Sequence, residues 1–189
     1  MASKVFVITG VPGTGKTTLA TLLSKRLKNI AVISANNIAK SSNLLIKKDT
    51  DGSFIVDIKK LKKALQLEIQ KASAKKRKYI ILEGHLLCEI KINGAVAIIL
   101  RSHLSLLEKR LKKRGYATQK LSENIMAEAL DYCGTKAMEN YAITYELLGS
   151  KNYLLKKTLD IIKGKPTERK EFDLLSEFSN ITYNKYLCY

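Results

Sequence analysis

Val5-Phe-Val-Ile-Thr9 runs directly into Gly10-Val-Pro-Gly-Thr-Gly-Lys-Thr17. Gly10, Gly15, Lys16 and Thr17 stand at the fixed positions of G-x-x-x-x-G-K-[ST], with an apolar run before them and a helical pattern after. The bland alternative is a glycine-rich turn between a buried strand and a helix. Four coincident fixed positions in the right context favour a phosphate-binding loop instead. Glycines at 10, 13 and 15 let the backbone curl so that successive N–H groups face an anion, and the next helix adds its positive end. The candidate cofactor-binding residues are then Gly13, Thr14, Gly15, Lys16, Thr17 and Thr18. Lys16 would reach the β- and γ-phosphates of ATP, and the Thr17 hydroxyl would ligate the accompanying Mg²⁺.

Outside this stretch, 189 residues with 46% hydrophobic content suffice for one domain with a real core and exclude wholesale disorder. No apolar run approaches the ~20 residues of a membrane-spanning helix, and the N-terminus carries no signal-peptide pattern. A cytoplasmic protein without a membrane partner is expected. Cys88, Cys133 and Cys188 are widely spaced, without pairing logic, and are assigned no chemistry. The 34 Lys and Arg residues against 17 Asp and Glu give a formal net charge of +17. That excess either attracts polyanions such as nucleic acid or reflects a lysine-rich solvated surface.

Leu19, Leu22, Leu23 and Leu27 recur at helical spacing, so Lys16 to about Lys28 is a helix, and Ile30 to Ile33 a strand that completes a βαβ unit. From Ser34 to Thr50 the pattern weakens, as in a mobile insertion. Asp51-Gly52 reads as a turn, Phe54 to Val56 as an extended piece, and Asp57 as the N-cap of a helix whose inner face is Ile58, Leu61, Leu65, Ile69 and Ala72. The basic turn Lys75 to Lys78 leads into Tyr79 to Leu82, apolar on both faces and therefore central and parallel. Glu83 follows at the carboxyl end of that strand, where an acid can hold the Mg²⁺ hydration shell or polarise a water.

Ala95 to Leu100 is another buried strand, and Ser102 caps a helix with Leu104, Leu107 and Leu111 inward, ending at Arg114 with Gly115 just beyond. A long helix is expected over Leu121 to Leu148, with Ile125, Ala129, Tyr132, Tyr141, Tyr145 and Leu148 as its packing stripe. Asn152 to Leu155 reads as a short last strand and Leu159 to Lys163 as a short helix. The expected architecture is α/β, a P-loop fold with about five mostly parallel strands between helical layers, over residues 1–165, followed by a C-terminal extension at 166–189.

With these residues placed, the sequence resembles the adenylate kinase isoenzyme 6 family, also described as coilin-interacting nuclear ATPase and as a small-subunit ribosome assembly factor, and most of all its archaeal members. The resemblance rests on G-x-P-G-x-G-K-T-T at Gly10 to Thr18, acid-x-His at Glu83 and His85, and R-L-x-x-R-G-Y at Arg110 to Tyr116, followed by Glu123 to Glu128. It implies a nucleoside-monophosphate-kinase fold, with residues 35–75 as the monophosphate-binding side and a lid at 109–122. It also implies adenylate kinase or ATPase activity with ATP and AMP, and partners among small-subunit ribosomal proteins and rRNA.

Lys16, Glu83, His85, Arg110 and Arg114 are the candidate catalytic residues. Arg110 and Arg114 lie four apart, on one helix face, and could close onto phosphates. His85 either orients the attacking water or is structural. No arginine occurs between Arg26 and Arg77, although monophosphate kinases usually clamp the acceptor with arginine on that side. Lys40 is the substitute point charge there. Two functions follow: ATP-dependent phosphoryl transfer to AMP, or an ATP-switched assembly factor with slow hydrolysis.

Overall fold

The computed structural model describes residues 2–48, 54–167 and 172–177. Five strands form the central sheet: β1 (Lys4–Thr9), β2 (Ile30–Ser34), β5 (Tyr79–Glu83), β6 (Val96–Leu100) and β7 (Ile143–Leu147). Their order is β2-β5-β1-β6-β7, and every neighbouring pair is parallel. All five carboxyl ends therefore lie along one edge, with Glu83 in register with both Ile8 and Ser34.

The sheet is covered on both faces, which is why its strands read as near-continuous apolar runs. Successive residues alternate between the layers. Val7, Ile80, Leu82, Ala97 and Ile99 pack on one side, against α3 (Ile58–Ala74), α4 (Leu104–Lys113) and α5 (Thr118–Ala129). Phe6, Ile8, Ile81, Ile98 and Leu100 pack on the other, against α1 (Lys16–Arg26) and α7 (Lys151–Ile162). Asp57 caps α3 as expected, its side chain accepting from the Lys60 N–H at 2.9 Å. At the end of α4, Gly115 takes φ 73°, its N–H donates to Lys112 O and that of Tyr116 to Leu111 O.

Four readings of the sequence need correction. The stretch taken as an insertion holds α2 (Ala35–Ser41) and β3 (Leu45–Lys48), which pairs antiparallel with β4 (Phe54–Val56). The helix has seven residues and buries only Ala35 and Ala39, too small a stripe to register as periodicity. The turn expected at Asp51-Gly52 lies outside the described residues.

The single helix expected over 121–148 is three elements. α5 ends at Ala129, Asp131 adopts a left-handed backbone (φ 52°), and α6 (Tyr132–Asn140) gives way to β7, whose Ile143, Tyr145 and Leu147 alternate. Positions 125, 129 and 132 share a face with 141, 145 and 148 only by coincidence of spacing. Ile125, Ala129 and Tyr141 do lie in the core, whereas Tyr132 is 43% exposed. The strand expected at 152–155 consequently belongs to α7, capped by Ser150, whose hydroxyl accepts from Tyr153 N–H at 3.4 Å.

Ser102 does not cap α4. His103 occupies that position, and the Leu104 N–H is satisfied by Glu177 from the C-terminal segment at 3.0 Å. Cys88 and Cys133 remain free thiols, as expected, and meet in the core with sulfurs 3.8 Å apart. Forty-five residues of separation concealed that contact.

Tyr141 anchors the 3-10 turn at His85–Glu89 that follows β5. Its buried hydroxyl lies 2.7 Å from Leu87 O and 2.5 Å from Ile90 O. Tyr141→Phe leaves those carbonyls without their donor and should cost about 1–2 kcal/mol, a fall of roughly 3–6 °C in Tm. A melting curve unchanged within a degree would show that the turn does not depend on this hydroxyl.

Candidate nucleotide-binding site

The loop between β1 and α1 lies at the carboxyl edge of the sheet, packed under α4. Gly10 and Gly13 are required there for two reasons. Both adopt positive φ (131° and 97°), and a Cβ would stand 2.4 Å from Leu100 O at Gly10 and 2.7 Å from Leu107 Cδ1 at Gly13. The strand and α4 therefore seat the loop directly. Within it, Thr14 Oγ1 donates to Val11 O at 3.0 Å.

Lys16, the first residue of α1, is buried, and its ammonium donates to Gly10 O at 2.9 Å and Val11 O at 2.8 Å. Burial lowers its pKa to about 8, Arg114 adding in the same direction and Glu83 opposing. The next residue carries the second contact. Thr17 Oγ1 donates to Glu83 Oε2 at 3.0 Å, joining the loop to the end of β5 across 66 residues of sequence. A hydroxyl and a buried carboxylate held together beside a phosphate loop suit a hard divalent cation that keeps most of its waters. The structure thus brings Thr17 and Glu83 together, and a Mg²⁺ ion held there would neutralise charge on phosphate oxygens.

His85 sits two residues past Glu83 in the same site. Thr9 Oγ1 and Cys88 Sγ both donate to its carbonyl, each at 3.2 Å. Burial, reinforced by the charges of Lys16 and Lys120, lowers the imidazole pKa to about 4. The ring is therefore neutral across the physiological range.

Two cavities meet at the loop. A larger one of about 780 Å³ runs from Gly13–Gly15 past Thr18 and Leu22 of α1, along α4, to the segment after β7 around Gly149. A smaller one of about 170 Å³ lies between Lys16, Thr17, Glu83, His85, Asn36 and Tyr116. Arg114 lines both, and Arg110 lines the larger while donating to Gly13 O at 3.2 Å. Gly13 to Thr18 and the five candidate catalytic residues thus line these two cavities.

Lys40 does not. It is an exposed residue in the last turn of α2 and lines neither cavity, whereas Asn36 from the first turn of that helix does. The wall formed by Arg101, Ser102, His103 and Leu106 and by Leu148 to Lys151 carries no sequence motif. The signal lay in the sheet order: both segments follow strands whose carboxyl ends face the loop.

Arg101 closes β6 with a fully buried guanidinium. Its Nε is 3.1 Å from Glu128, and Nη1 is 2.6 Å from Asp131 and 2.7 Å from Glu146. Glu128 also accepts from the Ser102 N–H at 2.9 Å. Burial raises both Glu128 and Glu146 above the ordinary carboxylate range, the Arg101 charge opposing this in each.

Residues 7–131 match a family described as AAA domain, a span that contains the loop, Glu83 and α4. The chain belongs to that family. A Methanocaldococcus jannaschii protein named "Putative adenylate kinase" is 42% identical over 127 residues, which cover 67% of each chain. An Archaeoglobus fulgidus protein of the same name is 30% identical over 185 residues, 93% of this chain and 94% of the relative. Among solved structures, shikimate kinase from Bacteroides thetaiotaomicron superposes with a TM-score of 0.53 at 16% identity, covering 85% of this chain and 98% of the other. At that identity the likeness concerns the fold alone. The span matched by the family runs from β1 through α5. Among the described residues, no helix is long and apolar enough to cross a membrane.

Loop chemistry sets a pH dependence. A phosphate favours the charged form of Lys16, so nucleotide binding must take up a proton wherever Lys16 is neutral beforehand. With the pKa near 8, ATP affinity should be flat below about pH 7.5 and fall by up to about ten-fold per unit above pH 8. Titrations at pH 7, 8 and 9 in one buffer series check this. A flat profile to pH 9 would place the ammonium outside the binding step.

Proposed function

We propose that the protein is a Mg²⁺-dependent phosphotransferase acting on ATP, an adenylate kinase (ATP + AMP to 2 ADP) with ATPase activity. The observation that carries this reading is the Thr17–Glu83 contact beside the Lys16 ammonium, which joins the cation-holding and phosphate-holding groups in one small cavity. Lys16 would counter the charge on the transferring phosphoryl group, with Arg110 and Arg114 approaching it from α4. An oxygen of AMP, or of water, attacks the γ-phosphorus as the bond to ADP breaks. Glu83 and neutral His85 would orient that oxygen. With its pKa near 4, His85 serves as a hydrogen-bonding group and not as the final proton acceptor. Residues 35–75 form the acceptor side in this reading, and 109–122 the lid.

One observation favours a second reading. Lys40 lies off the site, and no arginine occurs on α2 or α3, so the acceptor phosphate lacks a bidentate clamp from that side. An ATP-switched factor that hydrolyses slowly and binds rRNA or a small-subunit ribosomal protein would not need one. The charge of +17 suits such a partner. Measuring ADP release from ATP with and without AMP separates the two. Acceleration by AMP supports the kinase, an equal slow rate in both supports the switch, and no Lys16-dependent release in either contradicts both.

A further inference from the structure

The C-terminal segment touches His103, a residue that lines the larger cavity, a contact that no motif in the sequence foretold. The Phe172 N–H donates to Glu146, and Leu174, 3% exposed, packs in the same core as Leu104 and Leu107. Glu177 then presents both carboxylate oxygens to the start of α4. Oε2 accepts from the Leu104 N–H at 3.0 Å, and Oε1 meets His103 Nδ1 at 2.5 Å.

His103, the N-cap of α4, and Arg110 within that helix both line the larger cavity, seven positions apart. At 1.5 Å per residue they are separated by roughly 10 Å along the axis. Arg110 touches the phosphate loop at Gly13 O. His103 therefore stands away from the loop along the cavity, whose lining includes Leu22, Leu106, Leu148 and Leu154, apolar walls suited to a flat base.

The imidazole chemistry follows from the Glu177 contact. A carboxylate accepts and cannot donate, so it holds the neutral ring as the Nδ1–H tautomer and leaves Nε2 as an acceptor. An acceptor matches the exocyclic 6-amino group of adenine and opposes the 6-oxo group of guanine. We propose that His103, fixed by Glu177, is the specificity-determining residue that selects a 6-amino purine nucleotide, with Glu177 as its positioning residue. This rests on the reading of the cavity as an ATP site.

The substitution Glu177→Gln gives the test its direction. The amide oxygen is claimed by the Leu104 N–H, so the amide NH₂ faces Nδ1 and reverses the tautomer, making Nε2 a donor. His103→Ala, in contrast, removes the reader while leaving the Glu177 cap on Leu104 in place. The readout is the ratio of kcat/KM for ATP to that for GTP, with Kd of the two non-hydrolysable analogues measured by calorimetry. His103→Ala should lower the ratio about ten-fold. Glu177→Gln should lower it at least as far, with a gain in GTP affinity that simple loosening of the segment does not produce. His103→Gln, whose amide oxygen can replace the acceptor, should recover part of the preference. An unchanged ratio in His103→Ala and Glu177→Gln, with ATP binding still dependent on Lys16, overturns this inference alone. Failure of the wild type to bind either nucleotide overturns the ATP reading with it.

Discussion

Lys16→Ala is expected to lower ATP turnover by about 10²–10³-fold while leaving the melting temperature nearly unchanged. The ammonium is held over the loop by the carbonyls of Gly10 and Val11, and burial keeps it near its titration point. Charge positioned there without reorganisation is what a phosphoryl-transfer transition state needs, and a loss of this size matches the removal of one such donor. The fold does not need the charge, because a desolvated cation is a cost to the folded state. Turnover and a thermal melt on the same preparation check both halves. Activity within a few-fold of wild type would remove the loop from the mechanism.

Arg101→Met is expected to have the opposite profile, a large loss of stability from a residue outside the phosphate contacts. The substitution leaves Glu128, Asp131 and Glu146 converging on a buried site without their cation. Breaking a buried ion cluster by removing one sign costs about 3–5 kcal/mol. For a chain of this length that is a fall of about 10 °C or more in Tm. The penalty has a pH signature. Without the Arg101 charge, Glu128 and Glu146 rise further above their unfolded-state pKa values, so the folded variant binds protons that the unfolded chain does not. Stability of the variant relative to wild type should therefore recover as pH falls toward 5. A penalty under 1 kcal/mol, or one that grows in acid, would show that the cluster is not held by this arginine.

The parts of the molecule legible in the sequence are those whose signal is local. The phosphate loop was readable because Gly10, Gly13, Gly15, Lys16 and Thr17 act within a few residues of one another. The strands β1, β5 and β6 were readable because burial on both faces makes them continuous apolar runs. Glu83 could be placed because the end of a central strand has a fixed position in such a fold.

What escaped was set by contacts distant in the chain. β7 alternates Ile143, Tyr145 and Leu147 within a helix-like stripe, and only its pairing with β6 makes it a strand. Asn36 enters the site because β2 aims α2 there, an effect of sheet order that a seven-residue helix does not announce. Glu177, 73 residues beyond Leu104, accepts from the N–H of that residue in place of the cap expected at Ser102. The Cys88–Cys133 contact and the Arg101 cluster are likewise products of how α5 and α6 fold back over the sheet.

In the proposed reaction the γ-phosphoryl of ATP is transferred in the cavity beside Lys16, Thr17 and Glu83. The most direct measurement follows ATP labelled at the γ-phosphorus, with Mg²⁺ and AMP, in wild type and Lys16→Ala. Transfer at this site puts label in newly formed ADP, with a lesser share in inorganic phosphate, and neither product above background in the variant. Label that stays in ATP in the wild type, or products formed equally by Lys16→Ala, would contradict it.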